Sequence, residues 1–361
     1  MPTPLKDVYT DAYLGHLSHT IQQLYPAFES RAFMHQVFDQ GWPERALKAR
    51  MQHIAESLHD TLALPYPEAL AILTPAAVHF SGFEAMFFPE YVRLYGLNHW
   101  DDSITALAHL TEYSSSEFAV RAFIVQDSEK MMAQMLRWAH HANPHIRRLA
   151  SEGCRPRLPW ATALEAFKQD PSPILPVLAA LKQDDSLYVR KSVANNLNDI
   201  AKDHPATLLD LTARWLGQHP HTDWILKHGC RTLLKQGHAA VLPLFGFHPP
   251  THVRVHHWQV EAEVTLGETL HFDFQLRADQ ALGHLRLEYV LGLPRLRGKI
   301  SQKVFKIAEG HYPAHEKTVQ KTHAFRALTT RTYYPGTHHL SLLVNGQTMA
   351  ESRFTLKPAK S

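Results

Sequence analysis

The sequence predicts a multidomain chain, with an all-α solenoid of short helices through residue 247 followed by a small all-β sandwich over residues 251–361. Three observations carry that reading. Apolar residues recur at spacings of three and four from Asp7 onward, similar helical units return at roughly forty-residue intervals beyond Ser114, and the apolar period changes to two after His248-Pro249-Pro250.

Residues 7–110 are helical in pattern, with amphipathic segments at 12–24, 33–38 and 44–58. Phe80, Phe83, Phe87, Phe88, Tyr91 and Tyr95 follow three- and four-residue spacing, which suits one buried helical face. The repeat emerges next. Val120-Arg121, Ile146-Arg147, Val189-Arg190 and Ile225-Leu226 open similar helices, separated by 26, 43 and 36 residues. Two helices per unit of this length point to a HEAT-like solenoid with degenerate repeats. Asn143-Pro144 and Ser172-Pro173 place a capping side chain before a proline at the first helical position.

Beyond the proline pair, Leu270, Phe272, Phe274 and Leu276 alternate with polar residues, as do Leu285, Leu287, Tyr289 and Leu291. Asn345-Gly346 marks a two-residue hairpin, and Tyr333-Tyr334 offers a tyrosine at a strand corner. About seven short strands in this length suit an immunoglobulin-like sandwich.

Composition narrows the class. The chain is 45% apolar and 20% charged, its apolar runs fall short of the ~20 residues of a membrane-spanning helix, and Met1-Pro-Thr-Pro-Leu-Lys-Asp7 lacks a signal peptide's apolar core. A cytoplasmic protein with no membrane partner is expected. Cys154 and Cys230, each in a Gly-Cys-Arg triplet, read as equivalent core positions in two repeats, not as a bridge. Residues 251–361 hold 15 Lys+Arg against 9 Asp+Glu, whereas residues 1–250 hold 22 against 25. A basic C-terminal part suits either a polyanion or a solvated surface. Although there are 27 histidines, pairs such as His141 with His145 or His252 with His256 have no HExxH and no cysteine pair beside them, so no metal and no cofactor are expected. The sequence also lacks the glycine-rich phosphate loops and the GxSxG elbow.

The candidate chemistry lies between Ser114 and Pro205. On the helix from Pro144, Ile146, Leu149, Ala150 and Gly153 share a core face, leaving Arg148, Glu152 and Arg155 opposite. On the helix from Leu187, a core face of Val189, Val193, Leu197 and Ile200 leaves Tyr188, Lys191, Asn195 and Asp199 opposite. Neighbouring repeats align such faces, so Glu152 and Asp199 are expected to look into one groove. A connector with two arginines and two prolines then leads to Trp160, either a core cap or a ligand platform. Ser114-Ser115-Ser116-Glu117 fits a capping box.

Three stretches of this region, Ser114-Ser-Ser-Glu-Phe-Ala-Val-Arg121, Ile146-Arg-Arg-Leu-Ala-Ser-Glu-Gly-Cys-Arg-Pro-Arg-Leu-Pro-Trp160 and the block from Tyr188 to Pro205, resemble the AlkC family of DNA alkylation repair glycosylases. Leu328-Thr-Thr-Arg-Thr-Tyr-Tyr-Pro-Gly336 and Leu343-Val-Asn-Gly346 resemble the immunoglobulin-like extension of its longer members. The resemblance implies excision of 3-methyladenine and 3-methylcytosine from duplex DNA without conventional base flipping, by a monomer acting on the nucleoid with no obligate protein partner. It assigns Glu117, Glu152, Trp160 and Asp199 to the active site. Arg148, Arg155, Arg157, Arg190 and Lys191 become the expected duplex contacts of the solenoid, and Arg295, Arg297 and Lys299 those of the sandwich. Asn195 stands where the sister AlkD family has a lesion-cradling tryptophan, and Ala122 where close relatives have proline. The competing reading is a non-catalytic HEAT-repeat scaffold that holds nucleic acid or protein in its groove. If the sandwich grips the duplex, combined Arg295→Ala, Arg297→Ala and Lys299→Ala substitutions should weaken DNA binding and flatten its salt dependence; unchanged affinity would remove that role.

Overall fold

The computed structural model of the chain describes residues 4–295, 300–326 and 332–359. Helices precede strands, as the change of period predicts. The helices are α1 (Asp11–Leu24), α2 (Ser30–Val37), α3 (Leu47–Leu62), α4 (Tyr66–Ala77), α5 (Phe87–Tyr95), α6 (Trp100–Leu110), α7 (Val120–Gln126), α8 (Ser128–Ala139), α9 (Pro144–Gly153), α10 (Glu165–Gln169), α11 (Leu175–Leu181), α12 (Leu187–Asp203), α13 (Pro205–Trp215), α14 (Pro220–Gly229) and α15 (Arg231–Lys235). Eight strands follow among the described residues: β1 (Val253–Val260), β2 (Glu263–Thr265), β3 (Thr269–Ala278), β4 (Gly283–Pro294), β5 (Ile300–Tyr312), β6 (Glu316–Ala324), β7 (Gly336–Val344) and β8 (Gln347–Lys357). The chain forms two compact units, Met1–His204 with Gly217–Gly229, and Pro205–Leu216 with Cys230–Ser361.

In the first unit, α9 packs between α8 and α12, and α12 packs on α14. The four repeat-opening residues Val120, Ile146, Val189 and Ile225 are all buried. Asn143 caps α9 by accepting from the His145 N–H at 2.9 Å, with Pro144 supplying a first-turn φ that suits a helix. Ser172-Pro173 opens only a short 3-10 turn, without a side-chain cap. Of the N-terminal aromatics, Phe80, Phe87, Phe88 and Tyr91 are buried, while Phe83 and Tyr95 are half-buried. Adjacent repeats are also tied across their turns, where Arg147 donates to both oxygens of Asp184 at 2.6 and 3.1 Å.

Both cysteines are buried and unbridged, each following the last residue of a helix, which is glycine. The glycines explain the motif. A Cβ on Gly153 would lie 2.5 Å from Val120 Cγ2, and one on Gly229 would lie 3.0 Å from Leu197 Cβ. A hydrogen at these positions lets α7 approach α9 and α12 approach α14.

In the second unit, the order β1-β3-β6 makes one sheet and β2-β8-β7-β4-β5 the other. Pairing is antiparallel except for β2 with β8. The alternating residues predicted to face inward do so: Leu270, Phe272, Phe274 and Leu276 on β3 and Leu285, Leu287, Tyr289 and Leu291 on β4 are all buried. Tyr333 enters the same core, edge-on to Phe325 at 5.0 Å. The eighth strand, β2, is three residues long, too short to show a period.

Strand β4 departs from simple alternation because both its faces are covered. Arg286 and Glu288, two of the polar residues that alternate with its apolar ones, are 7% and 1% exposed and pair at 2.6 Å. The segment from α15 to His248 accounts for this: Leu242 reaches Gly346 in the β7–β8 hairpin, and the Lys235 charge acts on Glu288. Asn345 fastens it, donating to the carbonyls of His248 at 2.7 Å and His284 at 3.1 Å while accepting from the Arg286 N–H at 2.7 Å. Its φ of 48°, followed by 77° at Gly346, is the left-handed pair that such a two-residue turn needs.

Gly153→Ala should destabilise the protein by about 1–3 kcal/mol, because the new methyl must displace Val120. Adding Val120→Ala should recover part of that loss in a urea-denaturation double-mutant cycle, and additive losses would refute the close-contact explanation.

Candidate active site

The site grows from the faces that the two helices leave after building the core. On α9, burial of Ile146, Leu149 and Ala150 leaves Arg148 and Glu152 one turn apart on one side. On α12, burial of Val189, Val193, Leu197 and Ile200 leaves Ser192, Asn196 and Asp199, at i, i+4 and i+7, along the seam towards α9. These three are themselves buried, whereas Asn195 is half-buried and Lys191 exposed. The connector after α9 supplies Arg155.

The result is an alternating ladder of charges. Glu117 Oε2 pairs with Arg148, whose Nη2 lies 3.5 Å from Glu152 Oε1. Arg155 donates from Nη1 to Glu152 Oε1 at 2.6 Å and from Nε to Asp199 Oδ2 at 2.9 Å. Lys202 closes the far end, 3.0 Å from Asp199 Oδ1. Glu152, Arg155 and Asp199 are 5%, 7% and 2% exposed, so the ladder sits where water screens poorly. Burial pulls the Arg148 and Arg155 guanidiniums down, but the facing carboxylates outweigh it and hold both above their ordinary value. Three carboxylates thus stand fixed beside three cations, in a region where any one alone would be costly.

Glu117 forms no capping box. Helix α7 begins at Val120, its N-cap Ala119 makes no side-chain cap, and the Glu117 carboxylate turns instead to Arg148 while accepting from Ser115 Oγ at 2.8 Å. A half-buried guanidinium attracts the carboxylate more strongly than an end-of-helix amide does. Arg148 also donates to Ser115 Oγ at 3.0 Å and lies over the Tyr188 ring at 5.1 Å.

Trp160 is 63% exposed, so it is not a core cap. Its backbone sits at φ 64°, in the left-handed region that a bulky residue rarely adopts. Two cations hold it there. Lys48 Nζ donates to the Trp160 carbonyl at 3.0 Å. Arg121 donates to the carbonyls of Gly153 at 3.0 Å, Arg155 at 2.8 Å and Thr162 at 2.6 Å, and so clamps both ends of the connector that carries Arg155 and Trp160. Burial lowers the Arg121 guanidinium to about 10, since its hydrogen bonds go to carbonyl oxygens and none to a carboxylate. Sequence reasoning used Arg121 only as a repeat marker. The signal was its place beside Val120, equivalent to Arg147 and Arg190, which turn to carbonyls and carboxylates of neighbouring turns.

The expected DNA contacts separate into groups. Arg148 and Arg155 belong to the ladder. Arg157 is half-buried and pairs with Asp203 at 2.6 Å, Arg190 donates to the carbonyls of Asp184 and Asp185 at 2.9 and 2.8 Å, and Lys191 is exposed. On the sandwich, Arg295 is exposed, 3.3 Å from Ser301 Oγ, whereas Arg297 and Lys299 lie outside the described residues. Among the described residues, no three His, Cys, Asp or Glu side chains converge as metal ligands, and no helix is long and apolar enough to cross a membrane.

Residues 254–358 match the family described as "Uncharacterised protein YhaZ, C-terminal Ig-like domain". The chain is 47% identical over 345 residues to "Uncharacterized protein YhaZ" of Bacillus subtilis (strain 168), covering 95% of this chain and 96% of that relative. It is also similar to a solved structure, "Pseudomonas fluorescens alkylpurine DNA glycosylase AlkC bound to DNA containing an abasic site analog", with a TM-score of 0.94 and 38% identity over 98% of this chain and 100% of that one. The chain belongs to the AlkC family. As in that AlkC structure, the similarity runs through both the helical part and the sandwich, so the ladder and the Trp160 connector lie within the shared region.

Arg121→Met should leave three carbonyls of the AlkC connector without their donor and lower stability by about 3 kcal/mol, measured by urea denaturation. A loss no larger than that of an exposed-site substitution would mean that the connector holds itself.

Proposed function

We propose that the chain is a monofunctional DNA glycosylase that hydrolyses the N-glycosidic bond of bases methylated at a ring nitrogen, 3-methyladenine and 3-methylcytosine, in duplex DNA. The observation that carries this reading is the ladder of half-buried Glu117 with buried Glu152 and Asp199, fixed by Arg148 and Arg155 before any substrate arrives. Family membership and the similarity to an AlkC structure on DNA support it.

A base methylated in this way already carries positive charge. It leaves with the electron pair of the glycosidic bond as a neutral molecule, so no general acid is required. What the enzyme supplies is a negative field for the cationic sugar and a site for water. Fixed carboxylates provide the first without reorganising during the reaction. Water then bonds to the sugar carbon, and its proton passes to a carboxylate oxygen or to solvent. The exposed ring of Trp160 offers a face to the cationic base or sugar, an attraction worth about 0.5–2 kcal/mol.

In this reading Arg148 and Arg155 orient the carboxylates, while Arg157, Arg190, Lys191 and the basic sandwich residues, Arg295, Arg297 and Lys299, hold phosphates and fix register. The helical part, residues 1–247, carries the chemistry and residues 251–361 grip the duplex. The enzyme works as a monomer in the cytoplasm, on nucleoid DNA, without cofactor and without extruding the damaged base.

Single-turnover release of 3-methyladenine and 3-methylcytosine from alkylated duplex DNA tests this. Glu152→Gln should reduce the rate at full DNA occupancy by roughly 100- to 1,000-fold, with DNA affinity retained and falling as salt rises. An intact protein that binds DNA and releases no base would instead be a scaffold.

A further inference from the structure

The ladder accounts for one oxygen of Glu152 and leaves the other to a residue without charge. Oε1 accepts from Arg155 and faces Arg148. Oε2 accepts from Ser192 Oγ at 2.6 Å, and Ser192 Oγ in turn lies 2.6 Å from Ser151 Oγ. The direction of this chain is determined. A carboxylate paired with two arginines accepts, so the single Ser192 proton points at Glu152, and Ser192 accepts from Ser151 at 2.6 Å, the shorter contact of a hydroxyl whose other acceptor is the Arg148 carbonyl at 3.2 Å. Ser192 is 3% exposed and Ser151 fully buried, so water does not substitute for either. The relay crosses the α9–α12 seam, and Asn196, one turn after Ser192, reinforces it by donating to the Ser151 carbonyl at 2.8 Å.

We infer that Ser192 is a positioning residue, which, supported by Ser151, fixes the rotation of the Glu152 carboxylate. Arg155 and Arg148 both approach Oε1. A carboxylate held at one oxygen can pivot about that contact, and the hydroxyl on Oε2 removes this freedom. The plane of the group is then set, along with the direction of the remaining Oε2 lone pair. The one proton of Ser192 is committed to Oε2, so the residue acts through Glu152. This inference rests on the glycosylase reading and adds a residue to its machinery.

The test compares the full chain with Ser192→Ala, Ser192→Thr and Glu152→Gln in single-turnover release of 3-methyladenine from alkylated duplex DNA, with affinity for abasic-site duplex and urea stability measured alongside. Ser192→Ala should slow release at saturating enzyme by about tenfold with unchanged affinity, as expected when an interaction made in the transition state is lost. Ser192→Thr, which retains the hydroxyl, should restore most of the rate. If Ser192→Ala releases base as fast as the intact chain, Ser192 does not position Glu152. Equal losses of rate in the alanine and threonine variants would reduce Ser192 to helix packing and overturn the inference. Absence of release from the intact chain would refute the glycosylase reading itself, which separates the two failures.

Discussion

The contact on which the site depends is Arg155 between Glu152 and Asp199. It joins a carboxylate on α9 to one on α12, and its own backbone carbonyl is held by Arg121. Remove the guanidinium and two buried carboxylates lose the charge that joins them, leaving Glu152 only Arg148 at 3.5 Å and Asp199 only Lys202 at 3.0 Å as cationic partners. The other contacts extend this one. Arg148 carries the alternation to Glu117, Lys202 ends it at Asp199, and Ser192 fixes the oxygen that the arginines leave. The carboxylates are thus fixed in direction with their counter-charges built in.

Much of this was legible in the sequence. Periods of 3.6 and 2 separated helices from strands because each element must bury one face, and the His248-Pro249-Pro250 break marked the change. The same periodicity put Glu152 and Asp199 off the core faces of their helices. What periodicity cannot convey is the width of a core face. It placed Asp199 opposite the core and left Ser192 and Asn196 unassigned, yet all three are buried. Arg286 and Glu288 failed to read as buried for the same reason, since a sequence does not announce that a helical segment covers the outer face of a strand.

Local rules also gave way where a stronger long-range partner existed. The serine run before Glu117 has every feature of a capping box, but Arg148, distant in sequence, takes the carboxylate. Gly153 and Gly229 each precede a buried cysteine, and it is the glycine of each triplet that sets how closely the helices approach. Arginine is a poor guide in both directions. Arg121, Arg148 and Arg155 serve the protein's own backbone and carboxylates, although an arginine-rich stretch in a DNA-repair family first suggests phosphate.

The left-handed backbone of Trp160 sets two selective pressures against each other. Glycine or asparagine would occupy φ 64° with less strain and would relieve of order 1 kcal/mol stored in the connector. Either would also delete the one aromatic ring that projects from it. Selection for heat resistance alone would therefore drift away from tryptophan here, so under the proposed role of its ring position 160 is where thermal tolerance and usefulness to the cell part company.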